Sequence, residues 1–198
     1  MNKDSTIFNT HYRLAKYFSK KYAICTNSYN STIISALLTL NLKNKYILVN
    51  SEYIANILIN INYQPILVNT SNFHLDINDF IGKIKKYKSY CVILTHNNNL
   101  INLDKILYYC IKHNLFIIDD FREKYSKSVR MIGELSCFSL EEGSLIHAEE
   151  GGFIVTDIER FNNKLSSLIG YMNNPKVYNY SYRITKMQCK FLINLLDK

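Results

Sequence analysis

The chain has 198 residues, enough for one domain with a core of its own and without disulfide or metal staples. With 47% hydrophobic and 20% charged residues, six Gly and two Pro, it is neither wholly disordered nor collagen-like nor a Pro-rich linker, and no apolar run reaches the length of a membrane span. Lys and Arg number 24 against 16 Asp and Glu, and the balance of +8 favours anions such as nucleic acid, acidic membrane surfaces or nucleotide phosphates without choosing among them.

In chain order, Leu14 and Phe18 mark a first helix in a polar stretch, MNKDSTIFNTHYRLAKYFSKK, that lacks the apolar centre of a signal peptide. A strand follows at AICT (23 to 26), then a helix carrying Ile33, Ile34, Leu37, Leu38 and Leu40. Strand YILVN (46 to 50), a helix on Ile54, Ile57, Leu58 and Ile61, and strand PILVN (65 to 69) come next. The alternation continues with a helix over 76 to 87, strand YCVILTH (90 to 96), a helix over 102 to 113 and strand LFIIDD (115 to 120). Strands SCFSL (136 to 140) and GFIVTD (152 to 157), a helix over 158 to 172 and a last helix from about Arg183 complete the order.

Helix alternating with strand is the α/β pattern, and strands without polar alternation are covered on both faces. The expected architecture is a three-layer α-β-α arrangement around a seven-stranded, mostly parallel sheet, with residues 1–198 as a single domain. The last helix carries Met187, Phe191, Leu192 and Leu195 on one face, a stripe that needs its own sheet or another chain as cover. Cys25, Cys91, Cys110, Cys137 and Cys189 lie in apolar stretches with no C-x-x-C pair. They read as small reduced hydrophobes, which places the chain in the cytoplasm.

Ligands of open α/β sheets sit beyond the carboxyl ends of the strands. Those positions read Asn27-Ser28-Tyr29-Asn30, Ser51-Glu52-Tyr53, His96-Asn97-Asn98-Asn99, Asp119-Asp120-Phe121-Arg122-Glu123 and Ser139, a polar and aromatic set. The basic run Lys83 to Lys88 reads as a solvated helix end, and His96 has no second ligand at metal spacing, so no metal site is expected. Gly151 and Gly152 read as positions of positive φ.

The run LFIIDD followed by CFSLEEGSLIHAEEGGFIVTD resembles the DegT-type sugar aminotransferases, fold type I enzymes dependent on pyridoxal phosphate (PLP). Phe138-Ser139-Leu140 and Glu150-Gly151-Gly152 match the family's Phe-Ser-Phe strand and Glu-Gly-Gly turn. NSYNSTIISALLTLNL is similar to its Ser-Gly-Thr helix, ANILININYQPILVNTSNFHLDIN to its second and third strands, and YNYSYRITKMQCKFL to its Asn-x-Arg segment. The resemblance implies the large PLP-transferase domain, with GFIVTD as its antiparallel strand and without a counterpart of the small C-terminal domain.

The family's pattern places its Schiff-base Lys five residues after the Ser of the first motif and six before the Glu of the second, and both counts end on Ser144. A hydroxyl cannot form an imine, so no catalytic residue for transamination is expected. The resemblance assigns cofactor contacts to Asp120 at the pyridine nitrogen, Tyr53 stacked on the ring, Glu123 near the ring hydroxyl, and Ser28 and Ser139 at the phosphate. Tyr29 and Asn30 replace the family's Gly and Thr in the phosphate cradle; Ser181 stands where the family has Asn, and Arg183 is kept.

The expectation that follows is a degenerate sugar aminotransferase homologue, inactive as a transaminase and acting as a binding or partner subunit in sugar-nucleotide metabolism. No covalent cofactor is expected; the alternative is an enzyme that holds PLP or pyridoxamine phosphate (PMP) noncovalently. A basic nucleic-acid-binding module is the less favoured third reading. The expected partners are a second copy or an aminotransferase-family subunit, the expected ligand is a nucleotide sugar, and no membrane contact is expected.

Overall fold

The computed structural model describes residues 5–71, 74–96, 102–122 and 129–197. Helix α1 (Ser5–Tyr17) leads into strand β1 (Tyr22–Thr26), helix α2 (Tyr29–Leu40) and strand β2 (Tyr46–Val49). Helix α3 (Glu52–Asn60) and strand β3 (Gln64–Leu67) follow, then a small antiparallel pair, β4 (Thr70–Ser71) with β5 (His74–Leu75). Helix α4 (Ile77–Tyr87), strand β6 (Cys91–Thr95), helix α5 (Leu103–Lys112), strand β7 (Phe116–Phe121) and strand β8 (Leu135–Ser139) come next. Strand β9 (Gly152–Thr156), helix α6 (Glu159–Ile169) and helix α7 (Lys186–Leu196) end the order. All seven expected strands are present where the sequence placed them. The β4–β5 pair is an addition too short to leave a periodic signal.

The main sheet has the order β1-β9-β8-β7-β6-β2-β3. Strands β3, β2, β6, β7 and β8 run parallel, and β9 is antiparallel to both of its neighbours, as expected of GFIVTD. The inner strands alternate between two apolar layers, whereas the edge strand β3 is only partly covered. Ile24, Ile47, Val49, Cys91, Ile93, Ile118, Cys137 and Ile154 face helices α2, α3 and α6. On the opposite face, Ala23, Cys25, Phe138, Phe153 and Val155 meet α1 and α7, while Leu48, Val92, Leu94 and Ile117 meet α4 and α5.

Local chemistry sets the helix ends that bring residues to the sheet edge. Ser28 is extended and its Oγ accepts from the Ser31 N–H at 3.1 Å, which starts α2 directly beyond β1. Asp76 does the same for α4, and Thr185 and Gln188 form a reciprocal cap on α7. The Gly pair before β9 divides its work. Gly151 has φ +111°, as expected, whereas Gly152 does not lie in the positive-φ region. A Cβ at Gly152 would collide with Thr32 Oγ1 of α2 and stand 2.8 Å from the Phe138 carbonyl oxygen. Gly152 is therefore the residue that lets α2 lie close to the sheet.

The stripe on α7 is split. Cys189 and Leu192 are buried with Leu14, Ala15 and Phe18, so the helix folds back on its own chain, while Met187 and Phe191 stay exposed at 83% and 50%. The five cysteines are all buried thiols. No described helix is long and apolar enough to cross a membrane.

Candidate functional site

The carboxyl ends of β1, β6, β7 and β8 share one edge with the start of β9. The register places Thr95 of β6 beside Asp120 of β7, and puts Thr26 and Ser139 on either side of Gly152. Successive residues of β7 point to opposite faces, so Asp119 and Asp120 enter different environments. Both are buried.

Asp120 lies on the α2 side. One carboxylate oxygen accepts from the Tyr29 hydroxyl and from the Arg122 N–H at 3.0 Å, and the other accepts from Thr95 Oγ1 at 2.6 Å. Burial raises the Asp120 pKa above the usual carboxylate range, and these same hydrogen bonds oppose the rise. Tyr29, in the first turn of α2, is fully buried; burial, followed by the nearby Asp120 charge, pushes its phenol well above the usual value. The two residues therefore favour a neutral phenol whose proton points at the carboxyl group.

Tyr53 closes the outer side of this cluster. Its ring lies 6.2 Å from the Tyr29 ring, the Arg122 guanidinium sits 3.7 Å over its face, and its hydroxyl donates to Asn30 Oδ1 at 2.8 Å. A guanidinium at that distance over an aromatic face is held by cation–π attraction. Burial raises the Tyr53 pKa, with Arg122 acting in the opposite sense.

The hydroxyls of Ser28 and Ser139 lie at the same sheet edge and are engaged with their own chain. Ser28 Oγ caps α2 and pairs with Ser31 Oγ at 2.8 Å, and Ser139 Oγ accepts from the Glu141 N–H at 3.0 Å. Ser144 lies in the loop after β8, its Oγ directed at the carbonyl oxygens of Glu141 (2.6 Å) and Ile146 (3.0 Å). Glu123 and Asn97 to Asn99 lie outside the described residues. The segment before Arg183 is tied to the site's edge by the Asn27 N–H, which donates to the Tyr182 carbonyl oxygen at 2.8 Å.

On the far face, Asp119 accepts from Ser136 Oγ (2.9 Å) and the Gly133 N–H (2.8 Å), and pairs with His96 Nε2 at 2.9 Å. The His96 ring stacks on Phe121, the first of a row that continues through Phe138 to Phe153 at centroid spacings of 4.4, 4.9 and 4.8 Å. His96 is thus a buried, hydrogen-bonded histidine at the start of the loop after β6. No group of three potential metal ligands occurs among the described residues.

The structure therefore unites Asp120 and Tyr53, which the sequence singled out, with Tyr29, Thr95, Arg122 and Asn30, which it did not assign to this cluster. Tyr29, Asn30 and Arg122 stood among the strand-end polar and aromatic positions. Thr95 carried a weaker signal, its place at the end of the strand beside LFIIDD. Nothing in the order of residues pairs Tyr29 with Asp120, 91 positions away.

The sequence profile of the DegT/DnrJ/EryC1/StrS aminotransferase family matches residues 7–198. A Micromonospora echinospora protein assigned as an L-glutamine:3-amino-2,3-dideoxy-scyllo-inosose aminotransferase is 26% identical over 156 residues, covering 71% of this chain and 37% of its own. GDP-perosamine synthase of Caulobacter vibrioides is 24% identical over 201 residues, covering 93% of this chain and 54% of its own. The fold matches Helicobacter pylori PseC, an aminotransferase involved in the biosynthesis of pseudoaminic acid, with a TM-score of 0.84 at 17% identity over 99% of this chain and 58% of that one. The chain spans about half the length, or less, of the curated relatives it matches.

Proposed function

The chain belongs to the DegT/DnrJ/EryC1/StrS aminotransferase family, and on that premise we propose that it is a member that does not transaminate. In this reading it serves as a binding or partner subunit in nucleotide-sugar metabolism, in the cytoplasm. The observation that carries it is Ser144. At the position the family's spacing assigns to the amine stands a hydroxyl, directed at two carbonyl oxygens of its own loop. A primary amine is what forms an imine with an aldehyde, and no rotamer of Ser supplies one.

The rest of the site supports the same reading. Asp120 and Tyr53 are the family's ring contacts by resemblance, yet here they bond Tyr29, Thr95, Arg122 and Asn30. For a pyridine nitrogen to reach Asp120, the buried Tyr29 would have to leave. The residues present do not fit PLP.

The partner is a second copy or a longer aminotransferase of the family, with the exposed Met187 and Phe191 of α7 as the contact. Incubation of the full chain with PLP, reduction with borohydride and intact mass measurement tests the central point. No stoichiometric adduct on a lysine is expected. A single lysine modified in full would overturn the reading.

A further inference from the structure

We propose that Tyr29 is a built-in occupant of the ring site: its phenol fills the place on Asp120 that a pyridine ring takes in a cofactor-bound relative, so that removing the ring leaves a cavity selective for phenol or a pyridine base. This goes beyond the proposed function, because it concerns what fills the site rather than what the whole chain partners.

Three features carry it. The Tyr29 side chain is fully buried although it belongs to the first turn of a helix, where a tyrosine ordinarily keeps its hydroxyl in water. Its hydroxyl meets a carboxyl oxygen at the carboxyl end of a parallel strand, the place where such sheets bind ligands. Its ring then has an aromatic neighbour in Tyr53, over whose ring the Arg122 guanidinium sits. A ring with a hydrogen donor at one end, an acid facing that donor and an aromatic wall is the arrangement that would hold a small protonated heteroaromatic. Here the chain supplies the ring itself.

The role of Gly152 supports this placement. Because no Cβ stands between β9 and Thr32, α2 approaches the sheet closely enough for its first turn to reach the end of β7. Thr95 holds the second carboxyl oxygen, so the acid's orientation does not depend on Tyr29 alone. The cavity left by the phenol would keep its acceptor aimed inward.

The test uses the full-length chain and its Tyr29→Ala variant, which removes one phenol and leaves Cβ. Melting midpoints are measured against phenol, pyridine and benzene, with Phe80→Ala, a buried aromatic truncation on the other side of the sheet, as control. Tyr29→Ala should be restored saturably by phenol and by pyridine. Phenol should bind about tenfold more tightly than benzene, since only phenol donates to Asp120. Phe80→Ala should show no preference for phenol. Equal response to phenol and benzene, or no response, would overturn the proposal.

Should Tyr29→Ala fail to fold alone, refolding yield replaces the melting midpoint. A higher yield in phenol than in benzene supports the proposal, and no difference contradicts it. Tyr29→Phe, which keeps the ring, should respond to neither compound. Saturable binding of PMP by the unmodified chain would overturn this inference and leave the absence of a lysine adduct standing, whereas a lysine adduct would overturn the proposed function as well.

Discussion

Asp120 is fully enclosed and accepts hydrogen bonds from Tyr29, Thr95 and Arg122, so the balance between desolvation and those bonds sets its charge. Burial is the larger effect and its pKa lies above the usual carboxylate value. In the folded chain the acid is then neutral over a range in which the unfolded chain has already ionised. Its contribution to stability is full below the unfolded value of about 4 and is lost as pH rises through the folded value. The gap in unfolding free energy between the native chain and Asp120→Asn should accordingly be widest below about pH 4 and narrow as pH rises, measured by urea titrations at several pH values. A gap that widens with pH would mean that the hydrogen bonds outweigh burial.

Asp120 and Tyr53 were legible because a motif and a strand end point to them. Tyr29 was visible as an aromatic residue beyond a strand end, and as a residue where the resemblance has Gly. That its hydroxyl meets Asp120 depends on how α2 crosses the sheet, which is a property of packing and leaves no trace in residue spacing. Gly152 carries a similar lesson, since a glycine wanted for close approach looks the same in sequence as one wanted for positive φ.

At the scale of elements, β1 is an edge strand and its backbone groups need partners other than a neighbouring strand. Two side chains provide them at Cys25. His11 Nε2 of α1 accepts from the Cys25 N–H at 3.2 Å, and the Tyr171 hydroxyl donates to the Cys25 carbonyl oxygen at 3.0 Å. The two rings meet edge to face at 4.9 Å, and the Tyr171 hydroxyl also accepts from the Ile184 N–H at 3.0 Å. These bonds tie α1, the edge strand and the approach to α7 into one unit.

Burial lowers the His11 pKa from 6.5 to about 4, because protonation would place a charge in this enclosure and remove the acceptor. A lowered folded value means full stability above pH 6.5 and progressive loss as pH falls toward 4. His11→Gln keeps an acceptor oxygen without titrating in this window. Relative to that variant, the native chain should lose up to about 1.4 kcal/mol per pH unit across it, measured from urea midpoints. Parallel pH profiles for the two would show that His11 is not the titrating group.

Periodicity located all the main strands and helices because continuous apolar runs and helical spacing both survive in the sequence. It left open which side of α7 turns inward. The partner is α1, whose contacts form only once the sheet has set the distance between them.

For the whole molecule, the fold back of α7 changes what an interface can use. Leu192 and Cys189 belong to the core, so a charge there would unfold the chain, whereas Met187 and Phe191 face outward and are free to meet another surface. Light scattering on the native chain and on Phe191→Asp therefore separates assembly from folding. The proposed contact predicts a dimer that becomes a monomer with an unchanged melting midpoint. A native monomer at high concentration, or a dimer indifferent to the change, would remove α7 from the interface.

The family profile spans residues 7–198, and we propose that within it the chain's own Tyr29 occupies the place on Asp120 that a ring would take. A crystal structure of the full chain grown with excess PMP tests it most directly. The expected result is the Tyr29 hydroxyl on the Asp120 carboxyl group, with the Arg122 guanidinium over Tyr53 and no pyridine ring at Asp120. A pyridine ring seated on Asp120, with Tyr29 displaced, would contradict it.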